Sequence, residues 1–314
     1  MSRTATALLS LWLAVVGAAA AGDGAARAAG TTSYDTSRIV SVGGAVTEIL
    51  YALGMQDRIV AVDSTSLFPQ RALKEKPNVG YLRQLSPEGV LGLNPTLIIA
   101  AEGAGPKETV AVIEQASVPF VHVPDHFTGE GIVDKIRLIA RDTDRVSIGD
   151  CLIARARGDL DRLAALRKRI AAPARVLFVL SFVNGRAMVA GTDTAADGII
   201  RLAGGVNAMA AFKGYKPVSD EAILAAQPDV VLTMQRPDQA LTADDVLNHP
   251  AFVQTPAAQR KSFLSFDGLY LLGFGPRTAG AAHDLALALY PDLAKAETAT
   301  QPGAGPASGS ACPQ

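Results

Sequence analysis

Ser86-Pro-Glu88-Gly-Val-Leu91-Gly-Leu-Asn-Pro95-Thr-Leu-Ile-Ile99 returns later in the chain as Ser219-Asp-Glu221-Ala-Ile-Leu224-Ala-Ala-Gln-Pro228-Asp-Val-Val-Leu232. Ser, Glu, Leu and Pro stand at the same spacing in both copies, and each copy runs into an apolar stretch. The pattern predicts a short helix capped by the serine, a turn at the proline, and then a strand. Capped helix–turn–strand units recur by chance in α/β chains. Matches in register, once per half of the chain, favour duplication or pseudo-symmetry instead. Ile49-Leu-Tyr-Ala-Leu-Gly54 and Ile199-Ile-Arg-Leu-Ala-Gly204 repeat the relation more weakly.

Outward from these copies, short apolar runs alternate with helical patterns. Candidate strands are Arg38–Val42, Arg58–Val62, Thr96–Ala101 and Pro119–Val123 in the first half, and Arg175–Ser181 and Asp229–Met234 in the second. Near-continuous apolar strands between helices read as parallel sheets covered on both faces. Between the two sets, Leu152, Ile153, Ala156, Leu160, Leu163, Leu166 and Ile170 recur at helical spacing, with Arg and Asp on the opposite face, until Pro173 stops the pattern. The expected fold is α/β: two Rossmann-like lobes with parallel sheets, joined by one long connecting α-helix, with a ligand cleft between the lobes. The expected divisions are an N-terminal lobe over 35–141, a connecting helix over 142–171, a C-terminal lobe over 172–293 and a disordered tail over 294–314, rich in Gly, Pro, Ser and Ala.

The 314 residues are 49% hydrophobic and 19% charged, with a formal net charge of −1. That near-neutral balance argues against nucleic acid as a partner. The mean hydropathy of +0.22 is high, and the N-terminus accounts for part of it. Arg3 is followed by the apolar run Ala7–Val16 and then by Ala and Gly, a pattern that predicts a secretory signal peptide over 1–21. Ala19–Ala21 and Ala26–Ala29 both offer small residues for cleavage. The second half of this run is too weakly apolar for a membrane anchor. Cys151 and Cys312 are the two cysteines, too few for a disulfide scaffold. In an oxidising compartment a bridge between them and two free thiols both fit.

Two α/β lobes, one helical connector and a signal peptide resemble the class III periplasmic substrate-binding proteins of ABC importers, the group that includes cobalamin- and siderophore-binding proteins. Asn78-Val-Gly80-Tyr81-Leu-Arg83-Gln-Leu-Ser86-Pro-Glu88-Gly, Ala190-Gly-Thr-Asp-Thr194-Ala-Ala-Asp197, Gly214-Tyr-Lys-Pro217-Val-Ser219 and Phe266-Asp-Gly-Leu-Tyr-Leu-Leu-Gly-Phe-Gly275-Pro-Arg277-Thr sharpen this to a resemblance to the periplasmic haem-binding proteins of bacterial haem importers. The likeness runs from Arg38 to Leu293. It implies a periplasmic, non-enzymatic protein that carries haem b to an inner-membrane ABC permease, with an outer-membrane haem receptor as a candidate upstream partner. A corrinoid or ferric siderophore on the same fold is the alternative cargo. A secreted α/β enzyme is the third reading, and Gly-x-Ser-x-Gly, His-Glu-x-x-His and Walker motifs are absent from the sequence.

The resemblance makes Tyr81 the axial ligand of the haem iron. Ferric iron is a hard cation that a phenolate suits, but a free tyrosine ionises only near pH 10. Arg83 follows two residues on. In an extended segment the two side chains would share a face, and the guanidinium would support the phenolate. Arg236, after a strand end, is a candidate for the open face of the iron or a propionate, with a solvated loop arginine as the competing reading. Tyr215, Lys216, Tyr270, Leu272 and Phe274 are candidate wall or rim residues by motif position, with core packing as the alternative for the apolar ones.

His122-Val-Pro-Asp-His126 is interrupted by Pro124, which argues against a helical metal pair and for a strand histidine followed by a rim-loop histidine. The resemblance implies that a second, stacked haem would be held by a histidine from the start of the C-terminal lobe; Arg175–Gly191 contains none, so one haem with five-coordinate iron is expected. Glu88 and Glu221, one per repeat, match the acidic residues that dock this importer class on its permease. A carboxylate in a helix's first turn is also ordinary capping chemistry, and both roles can hold together.

Overall fold

The computed structural model describes residues 34–235, 241–300 and Cys312. The expected signal peptide lies outside the described residues. Four strands, β1 (Ile39–Val42), β2 (Ile59–Val62), β3 (Leu97–Ala101) and β4 (Phe120–Val123), form an all-parallel sheet in the order β2-β1-β3-β4. Every residue of β1 and β3 is buried, as expected for strands covered on both faces.

The second sheet comprises β5 (Arg175–Val183), β6 (Arg186–Ala190), β7 (Val206–Asn207), β8 (Tyr215–Pro217), β9 (Val230–Gln235) and β10 (Phe263–Asp267). Its order is β10-β9-β5-β6-β8, with the short β7 also on β5. This corrects the expectation of two parallel sheets. β5, β9 and β10 are parallel, but β6 runs antiparallel to both β5 and β8. The cause is local. Asn184 and Gly185 both take positive φ, 50° and 75°, and a two-residue Asn-Gly loop of that kind turns a strand straight back as a hairpin.

Both repeat copies fold alike. Ser86 Oγ accepts the Gly89 N–H and Ser219 Oγ the Ala222 N–H, capping the helices Pro87–Leu91 and Asp220–Ala226. Asn94 and Gln227, each just before the proline, are left-handed with φ of 47° and 44°. The copies then enter β3 and β9, each paired with the first strand of its sheet.

One long helix connects the lobes, preceded by the last helix of the first lobe. Gly129–Asp142 is followed by a turn in which Asp144 has a φ of 53°, and Val146–Arg167 is the long helix. The long helix therefore starts later and ends earlier than 142–171. Leu152, Ile153, Ala156, Leu163 and Leu166 are its buried apolar face, as the periodicity predicts. They share a continuous core with Ile49 of the first lobe and with Phe178, Ile199, Leu271 and Leu285 of the second.

The C-terminal segment also departs from expectation. Pro291 starts a helix that runs to Thr300, so the chain is helical where a tail was expected from residue 294. Most of the remaining tail lies outside the described residues. Cys312 is bonded to Cys151 on the long helix, with the Cα atoms 5.9 Å apart, which resolves the cysteine question in favour of a bridge.

Candidate functional site

In an open α/β sheet, ligands bind beyond the carboxyl ends of the strands. The backbone brings Tyr81 there. Asn78 bridges Val62 at the end of β2, Val79 N–H donates to Val62 O at 2.9 Å, and Ser64 N–H donates to Gly80 O at 2.8 Å. Gly80 has φ 94°, a conformation that strains any L side chain, and its N–H is held by Asn78 Oδ1.

Tyr81 then begins a turn, closed by Gln84 N–H on Tyr81 O at 2.7 Å. The Tyr81–Arg83 segment is therefore not extended, and the alternation argument for pairing the two side chains does not apply. A pair of bonds, Leu85 N–H to Gly105 O and Gly105 N–H to Leu82 O, ties the turn to the loop after β3. Leu82 and Leu85 pack inward, while Tyr81 (43% exposed) and Arg83 face outward. Neither the Tyr81 hydroxyl nor the Arg83 guanidinium has a hydrogen-bond or ion-pair partner among the described residues.

A buried carboxylate orders the neighbouring strand ends. Asp63, fully buried, accepts from Gly43 N–H and Ser66 Oγ through Oδ1, and from the N–H and hydroxyl of Thr65 through Oδ2. Thr65 Oγ1 in turn accepts the Gly44 N–H. A Cβ on Gly44 would lie 2.4 Å from Thr65 O and 2.5 Å from the Leu269 side chain, so a glycine lets the two lobes approach here. The Asp-Ser-Thr-Ser run directly after a strand was the available sequence signal for this network.

From the second lobe, Tyr270 begins in the helix Gly268–Leu272, capped by Asp267 at the end of β10. Its hydroxyl donates to Asp284 Oδ2 at 2.8 Å. Burial, and then the Asp284 hydrogen bond, push the Tyr270 phenol well above its ordinary pKa. The two hydroxyls thus differ in partnership: Tyr81 has none among the described residues, and Tyr270 is committed as a donor to Asp284.

The other expected residues separate. Tyr215 and Lys216 lie on edge strand β8, level with Ala190 and Val189 and hence with the middle of β5, not its carboxyl end. Tyr215 stacks edge-on to Phe178 and the Lys216 ammonium sits 5.4 Å from the Phe212 ring centroid. Phe274 is not a wall residue. It is 1% exposed, left-handed at φ 49°, and packed on Phe127. Arg236 follows β9 directly and lies outside the described residues. His122 stands on β4, 2.5 Å from Glu114, and His126 lies in the loop after it.

Glu88 and Glu221 are exposed in the first turns of the two repeat helices. The Glu221 carboxyl is held below its usual range by its own backbone N–H and then by Ser219. Sequence reasoning missed Glu48, Phe68 and a role for Arg277. Glu48 is 5% exposed and bonded to Arg277, 229 residues away, and no local pattern links such a pair. Burial pushes the Glu48 carboxyl up, against the pull of Arg277.

Residues 39–268 match the periplasmic binding protein family. The chain belongs to that family. As a periplasmic binding protein it is 40% identical to the periplasmic haem-binding protein RhuT of Roseiflexus sp. RS-1 in its apo form, with a TM-score of 0.77 over 82% of this chain and 98% of that one. The periplasmic haem-binding protein BhuT, in complex with two haems, is 38% identical with a TM-score of 0.77, again over 82% and 98%. The vitamin B12-binding protein of Vibrio cholerae (O395) is 30% identical over 206 residues, 64% of this chain and 72% of that one. The family and these neighbours are binding proteins rather than enzymes. No helix among the described residues is long and apolar enough to cross a membrane.

Proposed function

We propose that this periplasmic binding protein captures haem b between its lobes in the periplasm and delivers it to an inner-membrane ABC permease. The observation that carries the reading is the Tyr81 hydroxyl, which is exposed and unpartnered among the described residues, on a turn pinned by backbone hydrogen bonds on both sides. A hard phenolate oxygen so presented suits ferric iron. On ligation the phenol gives its proton to solvent, and Arg83, exposed in the same turn, is its proposed support. The haem-binding neighbours support the same cargo.

The vitamin B12-binding relative supports the second reading, a corrinoid, which brings its own metal ligands and has no use for a free phenol. Titration of the purified protein with haemin and, separately, with cyanocobalamin discriminates them. Haem binding gives a Soret shift that saturates at one equivalent, in keeping with the absence of histidine from Arg175–Gly191. Saturation at two equivalents corrects the stoichiometry, and a response to cyanocobalamin alone overturns the cargo.

Glu88 and Glu221 fit the delivery step. Both are exposed, one stands on each repeat helix, and exposed charges of this kind govern encounter and orientation more than folding. The Glu88→Ala/Glu221→Ala protein is expected to keep its haemin affinity within about twofold. It should lose roughly tenfold in haem uptake with the permease in proteoliposomes, about 1.4 kcal/mol of docking. Unchanged uptake would remove both residues from the docking surface.

A further inference from the structure

Glu48 and Arg277 join the lobes through one carboxylate. Glu48 belongs to the helix Gly44–Ala52 of the first lobe, and Arg277 precedes the helix Thr278–Leu289 of the second. Glu48 Oε1 accepts the Arg277 backbone N–H at 3.2 Å, and Oε2 accepts Arg277 Nη2 at 2.9 Å. The contact therefore holds main chain as well as side chain. A Cβ on Gly44 would meet the Leu269 side chain at 2.5 Å, so the lobes are close-packed there, whereas one on Gly275 would lie at an ordinary 3.5 Å from Ala45 and Glu48.

The guanidinium has further neighbours. Its Cζ lies 3.6 Å from the Phe68 ring centroid and 5.3 Å from that of Tyr270. Phe68 comes from the loop after β2, on the carboxyl side of the first sheet, and Tyr270 from the helix after β10, on the carboxyl side of the second. Phe68 is 39% exposed although it is a phenylalanine with one face already covered. A carboxylate buried to this degree is stable as an anion only while its partner stays in place. A guanidinium so held fixes the plane of the ring it stacks on.

We propose that Glu48 and Arg277 form a cross-lobe clamp that sets the separation of the lobes and holds Phe68 as a flat apolar platform for a planar tetrapyrrole. The platform half rests on the haem reading, while the lobe-separation half needs no ligand. Glu48 and Arg277 are positioning residues here, acting through Phe68. A ring held rigid offers a planar macrocycle stacking area without loss of side-chain freedom, and a puckered corrin with axial substituents fits it less well.

The test uses the full chain with its native disulfide intact. Spin labels at Val112→Cys and Val253→Cys, positions 50% and 51% exposed on the two lobes, report their separation without ligand. Glu48→Gln and Arg277→Met are expected to broaden or shift the distance distribution and to raise the haemin dissociation rate at least tenfold. Arg277→Lys keeps the charge but not the plane. It should restore the distances while leaving dissociation fast. Phe68→Ala should leave the distances and the phenolate–iron charge-transfer band unchanged and still speed dissociation at least fivefold. Distances unchanged in every Glu48 and Arg277 variant that folds would overturn the clamp. Haemin dissociation unchanged in Phe68→Ala would overturn the platform. Failure of the unmodified protein to bind haemin sinks the cargo reading and the platform with it, and leaves the clamp to be decided by the distances.

Discussion

Tyr81→Ala is expected to lower haemin affinity by roughly 100-fold, about 2.8 kcal/mol at 1.4 kcal/mol per decade. The substitution removes an oxygen that is exposed and has no partner among the described residues, so folding loses little and ligand binding bears the effect. Tyr81→Phe separates ligation from packing. It keeps the ring and its apolar area but not the oxygen, and it is expected to lose the phenolate–iron charge-transfer band and most of the affinity lost by alanine.

Tyr270→Phe is the paired control. Its hydroxyl is already spent on Asp284 at 2.8 Å, so haemin affinity is expected to fall by less than about threefold. Haemin titrations followed at the Soret band, read beside thermal unfolding of each variant, make the comparison. Equal affinity for Tyr81→Phe and the unmodified protein would end the ligand assignment.

Loss of the disulfide has the largest expected effect on stability. Cys151 and Cys312 are 161 residues apart, and closing a loop of that length confines the unfolded chain by about 5 kcal/mol in the chain-entropy limit. Measured bridges fall short of that limit, so a loss of about 2–5 kcal/mol is expected for Cys151→Ser/Cys312→Ser. Urea unfolding of oxidised, reduced and doubly substituted protein measures it through the midpoint. Haemin binding should be untouched at native conditions. The helix that carries Cys151 packs chiefly on Gly129–Asp142 and Thr278–Leu289. Coincident midpoints for the three samples would show that the bridge does not stabilise the fold.

The legible parts of this chain were those written in adjacent residues. β1 and β3 are continuous apolar runs, and they are buried throughout because helices cover both faces of their sheet. The repeat showed itself as serine, glutamate, leucine and proline in register, because a helix cap and a turn are properties of a few neighbouring side chains. The hairpin at Asn184-Gly185 is equally local: an Asn-Gly pair between two apolar runs signals that the strand turns back. Phe274 shows the opposite case. Its motif neighbourhood put it beside the cleft, but no spacing along the chain can say whether a phenylalanine faces a cavity or the core, and here Phe127 covers it.

By itself, then, the sequence determined the α/β class, the two related halves and the apolar stripe of the long helix, and it offered candidate residues for iron and for docking. All of these depend on patterns that repeat within a turn of helix or along one strand. The tertiary structure alone decided that, of Tyr81 and Tyr270, the Tyr81 hydroxyl is the unpartnered one among the described residues. The contrast between Tyr81 and Tyr270 depends on Asp284, and the cross-lobe contact depends on Glu48 meeting Arg277 across 229 residues. Burial and hydrogen-bond partnership are set by chain closure in three dimensions, and no pattern of neighbouring residues encodes them.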